Sequence, residues 1–120
     1  MSINPSSFTL SIIIPCYNEI NTIDELIKRV QKSPIFSKEI IIVDDYSTDG
    51  TREYLSSLND DSIKIIFNKK NRGKGAAISK GIKTATGQIT IIQDADLEYD
   101  PNEYEQIIKP IVLNKADVVF

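Results

Sequence analysis

The chain contains no histidine. That absence removes the Ser-His-Asp triad, His-ligated zinc and a histidine general base. Any acid–base chemistry falls to Asp, Glu, Lys or Tyr. The single cysteine, Cys16, excludes an internal disulfide and a cysteine zinc site and reads as a small buried thiol. Residues Met1 to Phe8 lack the basic segment and long apolar run of a signal peptide. The longest apolar runs are far shorter than a membrane span. These absences lead to the expectation of a reducing, cytoplasmic location. No basic stripe is present either: the formal net charge is -3, with both signs spread along the chain. Nucleic acid is therefore not an expected partner. One local basic cluster, Lys69-Lys70-Asn71-Arg72-Gly73-Lys74, reads equally well as a solvated loop.

What is present is a regular alternation of strand and helix patterns. A chain of 120 residues, 41% hydrophobic and 26% charged, suits one globular domain with one core. β-Branched runs predict strands over Leu10–Pro15, Lys38–Val43, Ile63–Phe67 and Gln88–Gln93, with a fifth opening at Asp117. Helical periodicity predicts a helix after a capping box at Thr22-Ile23-Asp24-Glu25, with Ile23, Leu26, Ile27 and Val30 on one face. A shorter helix is predicted over Thr51–Leu58 after a Thr48 or Asp49 cap, with Leu55 and Leu58 inward. A third spans Gly75–Ala85, where Ala77, Ile78, Gly81, Ile82 and Ala85 make a packing face. A further helix follows Asp100-Pro101-Asn102-Glu103. The expected fold class is α/β, a Rossmann-like, mostly parallel sheet with helices on both faces. The chain stops inside a strand pattern at Phe120, so a fragment of a longer protein is expected.

In such sheets ligands sit beyond the carboxyl ends of the strands, and the polar residues of this chain gather there. Cys16-Tyr17-Asn18-Glu19 follows the first strand, Asp44-Asp45 the second, Asn68 to Lys74 the third and Asp94-Ala95-Asp96 the fourth. Asp94 and Asp96 alternate along extended backbone and so face one way. They suit one shared Mg2+ or Mn2+, or one metal contact and one ribose hydroxyl. Gly73-Lys74-Gly75 opens a helix, whose N-terminus and Lys74 suit an anion. Tyr17 offers a flat face to a nucleobase, and Glu19 an acceptor for a ribose hydroxyl. Plain strand-to-helix turns and tight glycine packing remain open as readings of these loops taken singly.

Taken together, Ile14-Pro15-Cys16-Tyr17-Asn18-Glu19, Val43-Asp44-Asp45-Tyr46-Ser47-Thr48-Asp49-Gly50-Thr51, Asn71-Arg72-Gly73-Lys74-Gly75-Ala76-Ala77 and Gln93-Asp94-Ala95-Asp96-Leu97 resemble the nucleotide-binding half of family 2 glycosyltransferases with the GT-A fold. The branch they most resemble contains the dolichyl- and polyprenyl-phosphate mannosyl- and glucosyltransferases. The resemblance implies that Pro15, Tyr17 and Glu19 line the nucleotide pocket, with Val43 and Asp45 near the base. It places Asp94 and Ala95 on the ribose and diphosphate side. It gives the divalent metal to Asp96 with Asp94, and to Glu98 as a third contact. It also implies inversion at the anomeric carbon, a UDP- or GDP-sugar donor, a sugar or lipid-phosphate acceptor, and a catalytic base beyond residue 120. Peripheral contact with the inner face of a membrane is implied for the full-length enzyme. Three positions depart from the family pattern: Cys16 for alanine, Tyr46 for glycine and Glu98 for glutamine.

Two rival classes stand beside a metal-dependent glycosyltransferase. One is a dinucleotide-dependent oxidoreductase using the Gly73 segment as its pyrophosphate loop, although Ile78 replaces the third glycine and the segment follows the third strand. The other is a non-catalytic nucleotide-binding or assembly module that self-associates through an open sheet edge.

Overall fold

A computed structural model describes residues 9–33, 37–95 and the backbone of Val118–Val119. Its elements run β1 (Leu10–Cys16), α1 (Ile23–Lys32), β2 (Lys38–Asp44), α2 (Thr51–Ser57), β3 (Ile63–Phe67), α3 (Lys74–Thr84), β4 (Ile89–Ile92) and β5 (Val118–Val119). All strand pairs are parallel, in the order β3-β2-β1-β4-β5. The expected α/β layer is therefore present, and its described sheet is wholly parallel. The helix predicted after Pro101 lies outside the described residues.

Period-two alternation splits each isoleucine run between two cores. Ile12, Ile14 and Cys16 of β1 and Ile40 and Ile42 of β2 face α1 and α2, meeting Ile23, Leu26, Ile27, Val30 and Leu55. Ile13, Ile41 and Val43 face the other way, onto Ala77 of α3. The close approach of α3 requires Gly81. A Cβ there would sit 2.5 Å from Ile13 Cγ2. Ile82, expected on the packing face, is instead 36% exposed, because the narrow contact around Ala77 and Gly81 leaves it outside.

Two local expectations are corrected. The capping box at Thr22 does not form: Thr22 occupies the N-cap position of α1 but makes no side-chain cap bond. Asp49 caps α2 from one residue further out. Gly50 takes the N-cap position with φ 106°, and the Asp49 carboxylate accepts from Thr51 N at 3.0 Å. Among the described residues, no helix is long and apolar enough to cross a membrane.

β1 was expected to end at Pro15, but its two edges end at different residues. Towards β2 it runs on to Cys16, whose carbonyl accepts from Asp45 N at 2.9 Å. Towards β4 the paired register ends at Ile13, whose carbonyl accepts from Gln93 N at 2.8 Å. The next group on that edge belongs to Pro15, which has no N–H to offer. Proline therefore lets β1 and β4 part. They part where the strand order reverses, which is where open α/β sheets bind ligands.

Candidate nucleotide-binding cleft

The parting strands open a cleft of about 300 Å³. Of the predicted contacts, it brings together Pro15, Tyr17, Glu19, Asp45, Lys74, Asp94 and Ala95, and it adds Cys16, Asn71, Gly73 and Ala77. The Val43 side chain is not on its walls. It is fully buried and packs under the cleft with Ile13, Ile41 and Ala77. Asp96 and Glu98 lie outside the described residues.

Loop-to-loop bonds fix the wall that carries Tyr17. Asn18, with φ 54°, turns the chain in the left-handed region that asparagine tolerates. Its amide donates to Ser47 Oγ at 2.9 Å, and its side-chain carbonyl accepts from Thr48 N at 2.7 Å. Glu19 N donates to Thr51 Oγ1 at 3.1 Å. The β1–α1 loop is thus tied to the β2–α2 loop, and Tyr17 is left 47% exposed at the rim.

The paired acids at the end of β2 have separate tasks. Asp44 points away from the cleft. Its fully buried carboxylate accepts from Ser47 N and from Arg52 Nη1 at 2.9 Å. Arg52 also donates to Asn68 O at 2.9 Å and lies over the rings of Tyr46 and Phe67. Asp45 turns inward and organises the glycine segment. It accepts from Asn68 Nδ2 and Arg72 N, each at 2.9 Å, and from Gly73 N at 2.8 Å. Burial pushes its pKa up, but these bonds outweigh burial and hold it below the usual carboxylate range. An ionised carboxylate accepts about four hydrogen bonds, so Asp45 keeps capacity for a ligand donor.

Lys74 stands at the first turn of α3 and reaches across the cleft to Asp94, with Nζ 2.5 Å from Oδ1. Both side chains are well exposed, at 61% and 46%. Screening makes such a pair weak and exchangeable. Cys16 offers no nucleophile: burial, reinforced by the negative charge of Asp44, Glu19 and Asp49, pushes its thiol up to about 12. Among the described residues no group of three His, Cys, Asp or Glu gathers to hold a metal. Asp94 places one hard carboxylate oxygen at the cleft mouth.

Sequence reasoning placed Asn68 at the polar end of the third strand without giving it a role, and it missed the role of Thr22. Asn68 is buried and supports Asp45 while Lys80 Nζ donates to its side-chain Oδ1 at 2.9 Å. The local sequence marks its place but not its role, because its partners come from other segments. Thr22 was visible only as a cap.

The sequence model described as glycosyl transferase family 2 matches residues 11–120. A dolichol-phosphate mannosyltransferase of Pyrococcus furiosus is 35% identical over 111 residues, covering 91% of this chain and 31% of that protein. A dolichyl-phosphate beta-glucosyltransferase of Dictyostelium discoideum is 36% identical over 125 residues, covering 92% of this chain and 38% of that protein. The chain thus spans about a third of the length of these curated relatives. Among solved structures, S. aureus TarS in complex with UDP-GlcNAc superposes with a TM-score of 0.73 at 27% identity, over 88% of this chain and 31% of that one. A mannosyltransferase from Pyrobaculum calidifontis, in complex with GDP-Man and Mn2+, gives 0.69 at 27% identity, over 80% and 30%.

Proposed function

The chain belongs to glycosyl transferase family 2, and on that premise we propose that it forms the donor-binding part of an inverting, metal-dependent glycosyltransferase. The donor is a UDP- or GDP-sugar. The acceptor is a polyprenyl phosphate or a growing polysaccharide, and the relatives named for dolichyl phosphate support the first.

The observation that carries this reading is the cleft itself. It sets a flat aromatic face, a buried carboxylate with spare acceptor capacity and an exposed cation–acid pair around one strand-reversal point. Tyr17 stacks on the base, and Pro15 shapes the wall beside it. Asp45, seated over Val43, accepts an N–H from the base. Glu19 accepts a ribose hydroxyl. Lys74 and the N-terminus of α3 face the diphosphate, whose charge they balance. Ala95 keeps the approach to the diphosphate narrow. Asp94 and Asp96, with Glu98, hold Mg2+ or Mn2+, which when bound neutralises the charge growing on the leaving diphosphate. The acceptor oxygen attacks the anomeric carbon from the face opposite that leaving group, with its base supplied from beyond residue 120.

The topology speaks against the dinucleotide reading. The Gly73 segment follows β3, at the end of the strand order, whereas a dinucleotide fingerprint follows the central first strand. A thermal-shift screen tests the choice, because a ligand of the folded state raises the melting temperature. UDP, GDP and their sugars are expected to raise it, and more so with Mn2+. A metal-independent rise with NAD(H) and none with the nucleoside diphosphates would overturn the proposal.

A further inference from the structure

Thr22 holds the N-cap position of a ten-residue helix and does not cap it. Three acceptors lie within reach of its one hydroxyl hydrogen: Ala95 O at 2.6 Å, Glu19 Oε2 at 3.1 Å and Glu19 O at 3.4 Å. One proton makes one strong bond. The Ala95 carbonyl, 73 residues away in sequence, lies near the optimal O–H···O distance. The carbonyl belongs to a residue 4% exposed, where an unmatched acceptor is costly.

We propose that Thr22 is a positioning residue for the acidic turn at the end of β4. The deduction rests on the glycosyltransferase reading above and deepens it. Asp94 is bracketed by two backbone anchors. On one side Gln93 N donates to Ile13 O at 2.8 Å, the last bond between β1 and β4. On the other the Ala95 carbonyl is pinned by Thr22. Between these points the backbone is fixed while the Asp94 side chain stands 46% exposed at the cleft mouth. The bond to Ala95 also spends the Thr22 proton on the carbonyl, leaving the Glu19 carboxylate to accept from a ligand hydroxyl. A local cap has been exchanged for a long-range clamp that ties the ribose wall to the diphosphate wall.

The test uses the intact protein and the variants Thr22→Val, Thr22→Ala and Thr22→Ser. Without ligand, amide hydrogen exchange across Gln93–Ala95 is expected to quicken in the Val and Ala variants and return to the wild-type rate in the Ser variant. In calorimetry the Val and Ala variants are expected to lose about tenfold or more in Mn2+-dependent affinity for UDP or GDP, as outer-shell partners of metal sites commonly do. Affinity for UMP or GMP without metal is expected to hold, and Ser to restore the diphosphate. Unchanged exchange together with unchanged Mn2+-dependent binding would overturn the role of Thr22 and leave the reading of function standing. An equal loss for mono- and diphosphates would reduce Thr22 to general support and also overturn it. A wild-type protein that binds neither diphosphate in the presence of Mn2+ would overturn the functional reading, and quickened exchange in the variants would then report the clamp alone.

Discussion

Glu39 and Asp94 are acids at opposite ends of the same sheet, and their surroundings are opposite too. Glu39 lies near the start of β2 and is saturated by the protein. Its carboxylate accepts from Ser11 Oγ, Lys64 Nζ, Thr86 N and Thr86 Oγ1, all within 2.7–2.8 Å. Its side chain is 11% exposed. Asp94, just past β4, is 46% exposed and paired with the exposed ammonium of Lys74. A carboxylate whose acceptor capacity is filled by fixed donors closes a structure. One whose capacity is left open beside a cleft awaits a ligand. Asp44 and Asp45 repeat the contrast at adjacent positions. Asp44 is locked to Ser47 and Arg52, whereas Asp45 holds the glycine segment and still faces the cleft.

The sharpest way to break this comparison is to neutralise both acids. Asp94→Asn is expected to cost about 10- to 100-fold in Mn2+-dependent nucleoside-diphosphate affinity, measured by calorimetry, with its melting temperature close to wild type. Glu39→Gln places an amide NH2 among hydrogen-bond donors. It is expected to destabilise the fold by about 1–3 kcal/mol in denaturant titration, with nucleotide affinity unchanged. Gly81→Ala drives a methyl against Ile13 and is expected to cost about 1–3 kcal/mol, which would confirm that α3 is held at close range.

The pH dependence follows from the same acid. Burial pushes the Glu39 pKa up, but Lys64, Thr86 and Ser11 outweigh burial and bring it from 4.5 to about 2. A folded pKa below the unfolded one means stability that is fully present above pH 4.5 and lost as pH falls towards 2. Stability measured across that window is expected to fall less steeply in Glu39→Gln than in wild type. The smallest effect is expected at Tyr46, a non-glycine residue at φ 68°. Replacing it with glycine relieves roughly 1–2 kcal/mol of left-handed strain. It also removes the contact with Arg52, worth about 0.5–1 kcal/mol. A net change within about 1 kcal/mol of wild type in urea is the expected result.

The parts legible in the sequence are those governed by neighbours in the chain. Continuous Ile and Val runs marked β1 to β4, and the spacing of Ile23, Leu26, Ile27 and Val30 marked α1. The polar strand ends marked the cleft, because parallel βα units carry every such end to one edge. Roles decided by distant partners were not legible. Nothing in the Asp44-Asp45 pair says which acid turns to Arg52 and which to Gly73. Thr22 obeys the capping-box pattern in sequence and breaks it in space, since Ala95 competes for its proton. Pro15 announced a strand end, yet its effect is one-sided, ending the β4 ladder while the β2 ladder runs on.

The most direct test of the division between building and binding acids is a thermal-shift titration of wild type, Asp94→Asn and Glu39→Gln with UDP or GDP, with and without Mn2+. The expected result is that Glu39→Gln melts lower but keeps the full Mn2+-dependent rise on adding nucleotide, while Asp94→Asn melts like wild type and loses that rise. A variant Asp94→Asn that still shows the wild-type rise, or a Glu39→Gln that folds as stably as wild type but no longer responds to nucleotide, would contradict the account.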